Sequence, residues 1–172
     1  MNSNFRDIAA KHLGPPVNIE AIIRSMGIAL NKKADLDDQI SGQLKRLPAN
    51  KFEISANKSD HYFRQRFTMA HELGHYLLHA HLIGEGVDDS VAYRSEPFGE
   101  FYNEMISATE ETEANQFAAR LLMPKSKIIE CVGVGDSISE LAKKFQVSKQ
   151  AMNIRLQALG YIIDADKVGV IP

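Results

Sequence analysis

Hydrophobic and polar positions change period along this chain. Residues 5–12 carry a short helical pattern that ends at Gly14–Pro16. The stretch "VNIEAIIRSMG" repeats that period: Asn18 suits an N-cap, Ile19, Ile22, Ile23 and Met26 form one stripe, and Gly27 is a stop. From Ile28 to Asn57 the pattern shortens to partly alternating runs, "GIAL", "QISGQLKRL" and "KFEISAN", broken by Asp, Gly, Pro and Asn. Such runs predict a small antiparallel sheet. A long helix is expected from Ser59 or Asp60 to about His81.

Residues 83–106 follow no period, apart from one expected strand at "VAYRS". Ser107 to Glu110, "SATE", fits a capping box. Behind it Ala114, Phe117, Ala118, Leu121 and Leu122 lie on one helical face, and Pro124 marks the end. The tail "DSISELAKKFQVSKQAMNIRLQALGY" reads as helix, tight turn, helix. A last apolar run, "VGVIP", reads as a strand or a frayed end.

Composition narrows the class. The chain has 172 residues, 44% of them hydrophobic and 24% charged, enough to bury a core without cross-links. A net charge of −2 gives no overall attraction to nucleic acid or anionic membrane. The lone Cys131 excludes an internal disulfide and fits a reducing compartment. The first residues lack the basic and apolar regions of a secretory signal, and no window is apolar enough to span a bilayer. A cytoplasmic location with no membrane contact is the expectation.

The chemistry concentrates in "RFTMAHELGHYLLH", Arg66 to His79. His71 and His75 stand one turn apart on one helical face, so their rings can share one Zn2+. Glu72, rotated by one residue, can reach the attacking water without binding the metal. Chance gives only roughly 0.01 such matches in a chain of this composition. Phe67, Ala70, Leu73, Gly74 and Leu77 already supply the packing surface, which argues against two merely buried histidines. Gly74 costs a helix interior nearly ~1 kcal/mol relative to Ala, so crowding on that side is expected. His79 continues the series but lies roughly 12 Å of helical rise from His71, too far for all three rings to share an ion. His79 and His81 therefore read as outer supports or surface residues. A third ligand must come from elsewhere. The start of the next helix offers Glu110, Glu111 and Glu113, most of them expected to serve as helix-dipole partners. Glu113 borders the apolar face at Ala114 and Phe117, while Glu110 is engaged by the capping box.

"RQRFTMAHELGHYLLH" followed by "ETEANQFAARLLMP" resembles the ImmA/IrrE family of zinc-dependent metallopeptidases. The resemblance extends to Ser41–Gly42, to Ile54–Asn57 and to "ISELAKKFQVSKQAMNIRLQALG". It implies an α+β, zincin-like domain over residues 1–134, with a small antiparallel sheet packed on helices. Residues 135–172 would form a helix-turn-helix-like segment packed on it. It also implies that His71 and His75 bind zinc, Glu72 is the catalytic base, and Glu113 of "EAN" is the third ligand, a gluzincin-like set. The spacing from His75 to Glu113 is long for the family, so residues 83–106 read as an elaboration at the cleft mouth. The implied activity is limited proteolysis of a helix-turn-helix (Xre-type) repressor encoded nearby, in a stress operon or on a mobile element.

Other expectations accompany this one. His61, His79, Tyr93 and Tyr102 are candidates for a second oxyanion donor. "KFEISAN" is expected at the sheet edge facing the cleft, where an extended substrate could add as a strand. Cys131, beside Ile128, Ile129 and Val132, reads as core filling rather than a metal thiolate. A rival function is a DNA-binding regulator: Lys143, Lys144, Lys149 and Arg155 against Glu140 give residues 137–160 a charge of +3 for a weak DNA contact, with Lys149, Gln150 and Asn153 facing the groove. Another is a non-cleaving partner in a toxin–antitoxin pair, which the intact His-Glu-x-x-His argues against.

Overall fold

The structure, a computed structural model, describes residues 3–83, the backbone of 91–93, and residues 106–133, 135–164 and 166–169. Most of the expected elaboration at the cleft mouth, Tyr102, and the end of "VGVIP" lie outside the described residues. Two short helices open the chain, α1 (Ser3–Ala10) and α2 (Ile19–Ser25). The Asn18 side chain accepts from the Ala21 N–H at 3.0 Å, as an N-cap should, and Ile19, Ile22 and Ile23 are fully buried.

The sheet contains β1 (Ala29–Ala34), β2 (Gly42–Leu47), β3 (Lys51–Asn57) and β4 (Val91–Tyr93), in the order β1-β3-β2-β4. The β2–β3 and β2–β4 pairs are antiparallel, whereas β1 runs parallel to β3. Two expectations are corrected here. The sheet is mixed, and "KFEISAN" is an interior strand rather than the edge. The burial of β3 gives the reason: Ile54, Ser55, Ala56 and Asn57 are buried in succession, so both faces of that strand are covered. Partial alternation hid this in the sequence. β1, mostly exposed and carrying Lys32 and Lys33, is an outer strand of the kind that charges protect.

The long helix is α3 (Tyr62–His79), capped by His61, whose Nδ1 accepts from the Phe63 N–H at 3.2 Å. α4 (Ala108–Leu122) begins with the expected capping box of Ser107 and Glu110. After Pro124 the chain forms α5 (Lys125–Cys131), an element the sequence pattern does not announce, with Cys131 half-buried against the core. The tail folds as α6 (Ile138–Phe145) and α7 (Lys149–Ala158), then a hairpin of β5 (Ile162–Asp164) and β6 (Lys167–Gly169). Phe145, Val147, Met152 and Leu156 join the same buried cluster as Ile22, Leu44 and Leu73. Buried Arg66 ties the parts together: its Nη2 donates to the Val17 carbonyl at 2.8 Å and its Nε to the Gln146 carbonyl at 3.1 Å.

α3 packs most extensively on α4, and Gly74 sets their separation. A Cβ at Gly74 would stand 3.1 Å from Phe117 Cδ1, 3.2 Å from Ala114 Cα and 3.3 Å from the Ala114 carbonyl oxygen. Two of those neighbours are helix backbone and cannot rotate away. Gly74→Val is therefore expected to destabilise the protein by about 1–3 kcal/mol through overpacking, outweighing the gain in helix propensity. Thermal or urea unfolding checks this; a variant as stable as the parent would show that α4 can shift freely.

Candidate metal centre

α3 carries His71, Glu72 and His75, all buried, and α4 lies across them. His71 Nε2 and His75 Nε2 are 3.0 Å apart. The carboxylate of Glu111 completes the cluster, with Oε2 3.4 Å from His71 Nε2 and Oε1 3.2 Å from His75 Nε2. Among the described residues, His71, His75 and Glu111 form the group of ligand atoms close enough to hold one ion.

The donor set fits a cation. Tetrahedral zinc with bonds of about 2.0–2.1 Å places its donor atoms roughly 3.3 Å from one another. The three contacts here, 3.0, 3.2 and 3.4 Å, bracket that separation. His71 Nδ1 lies 3.1 Å from Asn115 Oδ1. Donation of the Nδ1 proton to that oxygen leaves the Nε2 lone pair directed at the cluster, the usual outer support of a metal-binding histidine. Burial pushes the Glu111 carboxyl up, but protonated His71 and His75 rings, which would donate to it through the same Nε2 atoms, outweigh that and hold the group well below the usual carboxylate range; an ion would take the place of those protons.

The carboxylate beside the imidazoles is therefore Glu111, whereas the family resemblance points to Glu113. The two residues lie about 200° apart around α4. Glu111 is aligned with Ala114, Ala118 and Leu122, the fully buried line of the helix. Glu113 is aligned with Phe117 and Leu121 at the edge of that face, and its side chain is 57% exposed. Its Oε2 sits 3.0 Å from His79 Nε2 instead. Bordering the apolar face draws attention to Glu113, whereas lying three and seven residues before the two buried alanines is the spacing that brings Glu111 beside the imidazoles. Asn115, four residues after Glu111 on the same line, went unnoticed for the same reason.

Glu72 is fully buried on the side of α3 facing β2. A Cβ at Gly42 would collide with Thr68 Cγ2 and would stand 3.0 Å from the Ser55 carbonyl oxygen and 3.4 Å from Glu72 Oε1. Glycine at the start of β2 thus makes room chiefly for Thr68, one turn before Glu72 on α3. Of the oxyanion candidates, His61 caps the far end of α3, roughly 15 Å of rise from His71, and is spent on that cap. His79 is buried between His75 and Glu113, and His81 is exposed. The Tyr93 side chain, like Tyr102, lies outside the described residues. Cys131 is not part of the donor cluster.

The helix-turn-helix-like segment shows fewer available cations than its sequence suggests. Lys149 Nζ pairs with Asp166 Oδ1 at 2.9 Å, and Arg155 Nε donates to the Met123 carbonyl at 3.1 Å. Lys143, Lys144 and Gln150 remain exposed, and Asn153 is half-buried. Among the described residues no helix is long and apolar enough to cross a membrane.

Comparison with known proteins assigns the family. A family model described as the IrrE N-terminal-like domain, of the M78 peptidases, matches residues 19–157. The radiation response metalloprotease IrrE of Deinococcus radiodurans is 38% identical over 89 residues, covering 49% of this chain. The match covers 24% of that relative, so the chain spans only a part of its length. Because the family match runs through α3 and α4 together, the helices on which the cluster depends, this chain belongs to the IrrE N-terminal-like peptidase family.

Proposed function

We propose that the protein is a zinc-dependent metalloendopeptidase in which His71, His75 and Glu111 hold the ion and Glu72 is the general base. The observation that carries this reading is the meeting of two Nε2 atoms and one carboxylate at single-ion distances, on the helix that also bears Glu72. Two imidazoles and a carboxylate suit zinc and leave a place open, which is the donor set of catalytic rather than structural sites. An ion bound there would supply Lewis acidity to the peptide carbonyl and lower the pKa of water. Glu72 would take the proton from the attacking water and pass it to the leaving amine. Asn115 would keep His71 in the tautomer that offers Nε2.

The burial of the centre supports limited cutting. His71, Glu72 and His75 are essentially inaccessible, while Glu111 is 32% exposed in its side chain. Substrate would approach from the Glu111 side, which favours an extended, locally unfolded segment over folded protein. A helix-turn-helix (Xre-type) repressor encoded nearby, in a stress operon or on a mobile element, is the substrate this family membership suggests. Residues 135–172 would then brace the peptidase core, as their shared hydrophobic cluster suggests, rather than read DNA. A single unpaired cysteine, Cys131, suits a reducing, cytoplasmic setting.

Mixing the protein with the product of an adjacent repressor gene, with zinc or with a chelator, tests the reading. Discrete fragments that require zinc are expected. A stable complex with no cleavage would favour the non-cleaving partner, and steeply salt-dependent DNA binding by this chain would favour the regulator.

A further inference from the structure

Glu113 and His79 are left over once the donor cluster is assembled, yet they are joined to it. His79 Nε2 lies 3.0 Å from Glu113 Oε2, and His79 Nδ1 lies 3.2 Å from His75 Nδ1. His79 is buried at the last turn of α3, and Glu113 reaches it from the first turns of α4. We infer that Glu113 and His79 form a relay that sets the tautomer and ring position of His75, making both of them positioning residues for the metal.

The direction of the hydrogen bonds follows from the outer end. An ionised carboxylate can only accept, so His79 Nε2 carries a proton and donates it to Glu113. In a neutral imidazole the other nitrogen is then an acceptor, so His79 Nδ1 accepts from His75 Nδ1–H. That leaves His75 Nε2 with its lone pair at the cluster. The relay opposes a pull in the other direction. Glu111, 3.2 Å from His75 Nε2, attracts a proton to the very atom that should meet the ion. An acceptor at Nδ1 shifts the balance back, as Asn115 Oδ1 does for His71. The two supports differ in kind: an amide acts directly on one ligand, and a carboxylate acts on the other through an intervening ring.

This inference rests on the metal reading above, and zinc affinity, measured by chelator competition, separates the two. Glu113→Ala is expected to weaken zinc binding by about 10–100-fold, the usual effect of losing an outer partner. Glu113→Gln keeps an oxygen that can accept from His79 Nε2–H, and should lose at most about threefold. His79→Ala should match the Glu113→Ala loss, and the double variant should lose no more than either alone. In zinc-loaded protein, the imidazole N–H proton of His79 should give a slowly exchanging NMR signal that disappears in Glu113→Ala and survives in Glu113→Gln. Glu113 is largely exposed, so folding is expected to be intact in its variants, which unfolding curves of the metal-free proteins check. Zinc affinity unchanged by Glu113→Ala, or additive losses in the double variant, would overturn the relay alone. Failure of the parent protein to take up zinc would overturn the relay and the metal reading together.

Discussion

Glu72→Gln should leave zinc uptake at the parent level and lower kcat for peptide hydrolysis by about 10²–10⁴-fold, the range for loss of a positioned proton acceptor. The substitution keeps size and shape in a fully buried position, so packing beside Gly42 is preserved. What it removes is the capacity to accept a proton from the attacking water. Because Glu72 is turned about 100° from His71 and about 60° from His75 around α3, the donor atoms are untouched. Comparing zinc content, Tm and kcat in one preparation isolates the effect. Parent-level cleavage by this variant would remove Glu72 from the mechanism and require another base.

Glu111→Ala should have the larger effect on the metal itself. With the third donor gone, zinc affinity is expected to fall by about 10³-fold, beyond the 10–100-fold that outer partners contribute. Activity should fall with it at ordinary zinc concentrations and recover in part when zinc is raised, since Glu72 remains in place. Glu113→Ala, by contrast, should retain clearly more zinc under the same conditions, in keeping with its smaller expected loss of affinity. This pair of variants decides between two glutamates separated by one residue. If Glu113→Ala loses the metal completely while Glu111→Ala keeps it, the ligand set is the one the family resemblance implies, and α4 is rotated relative to the arrangement described here.

Much of the architecture was legible in local pattern. Asn18 caps α2, Ser107 and Glu110 close a capping box on α4, and α6 and α7 sit where their periods place them. These features depend on neighbours within four residues, so the chain itself announces them. The His71–His75 spacing belongs with them, because an α-helix puts i and i+4 on one face wherever it packs. The start of α3 was missed by one or two positions because a histidine, an uncommon cap, took the place of Ser59 or Asp60. α5 has only seven residues, too short for its period to stand out after Pro124.

The pairing of strands and the choice of glutamate belong to another level. β3 holds the centre of the sheet because β1 returns to lie parallel beside it, a contact between segments more than twenty residues apart. No run of residues within β3 encodes which neighbour it will have on each side. The site divides along the same line. That two imidazoles share a face, with a carboxylate one step away, follows from the period of one helix. Which acid of "EETE" meets them follows from how α4 is rotated on α3. That rotation is set where the backbone at Ala114 rests against Gly74, an approach that a side chain at position 74 would crowd. Helix period is a property of covalent geometry and local hydrogen bonds; the rotation of one helix against another is a property of the packed interface, and only the assembled chain contains it.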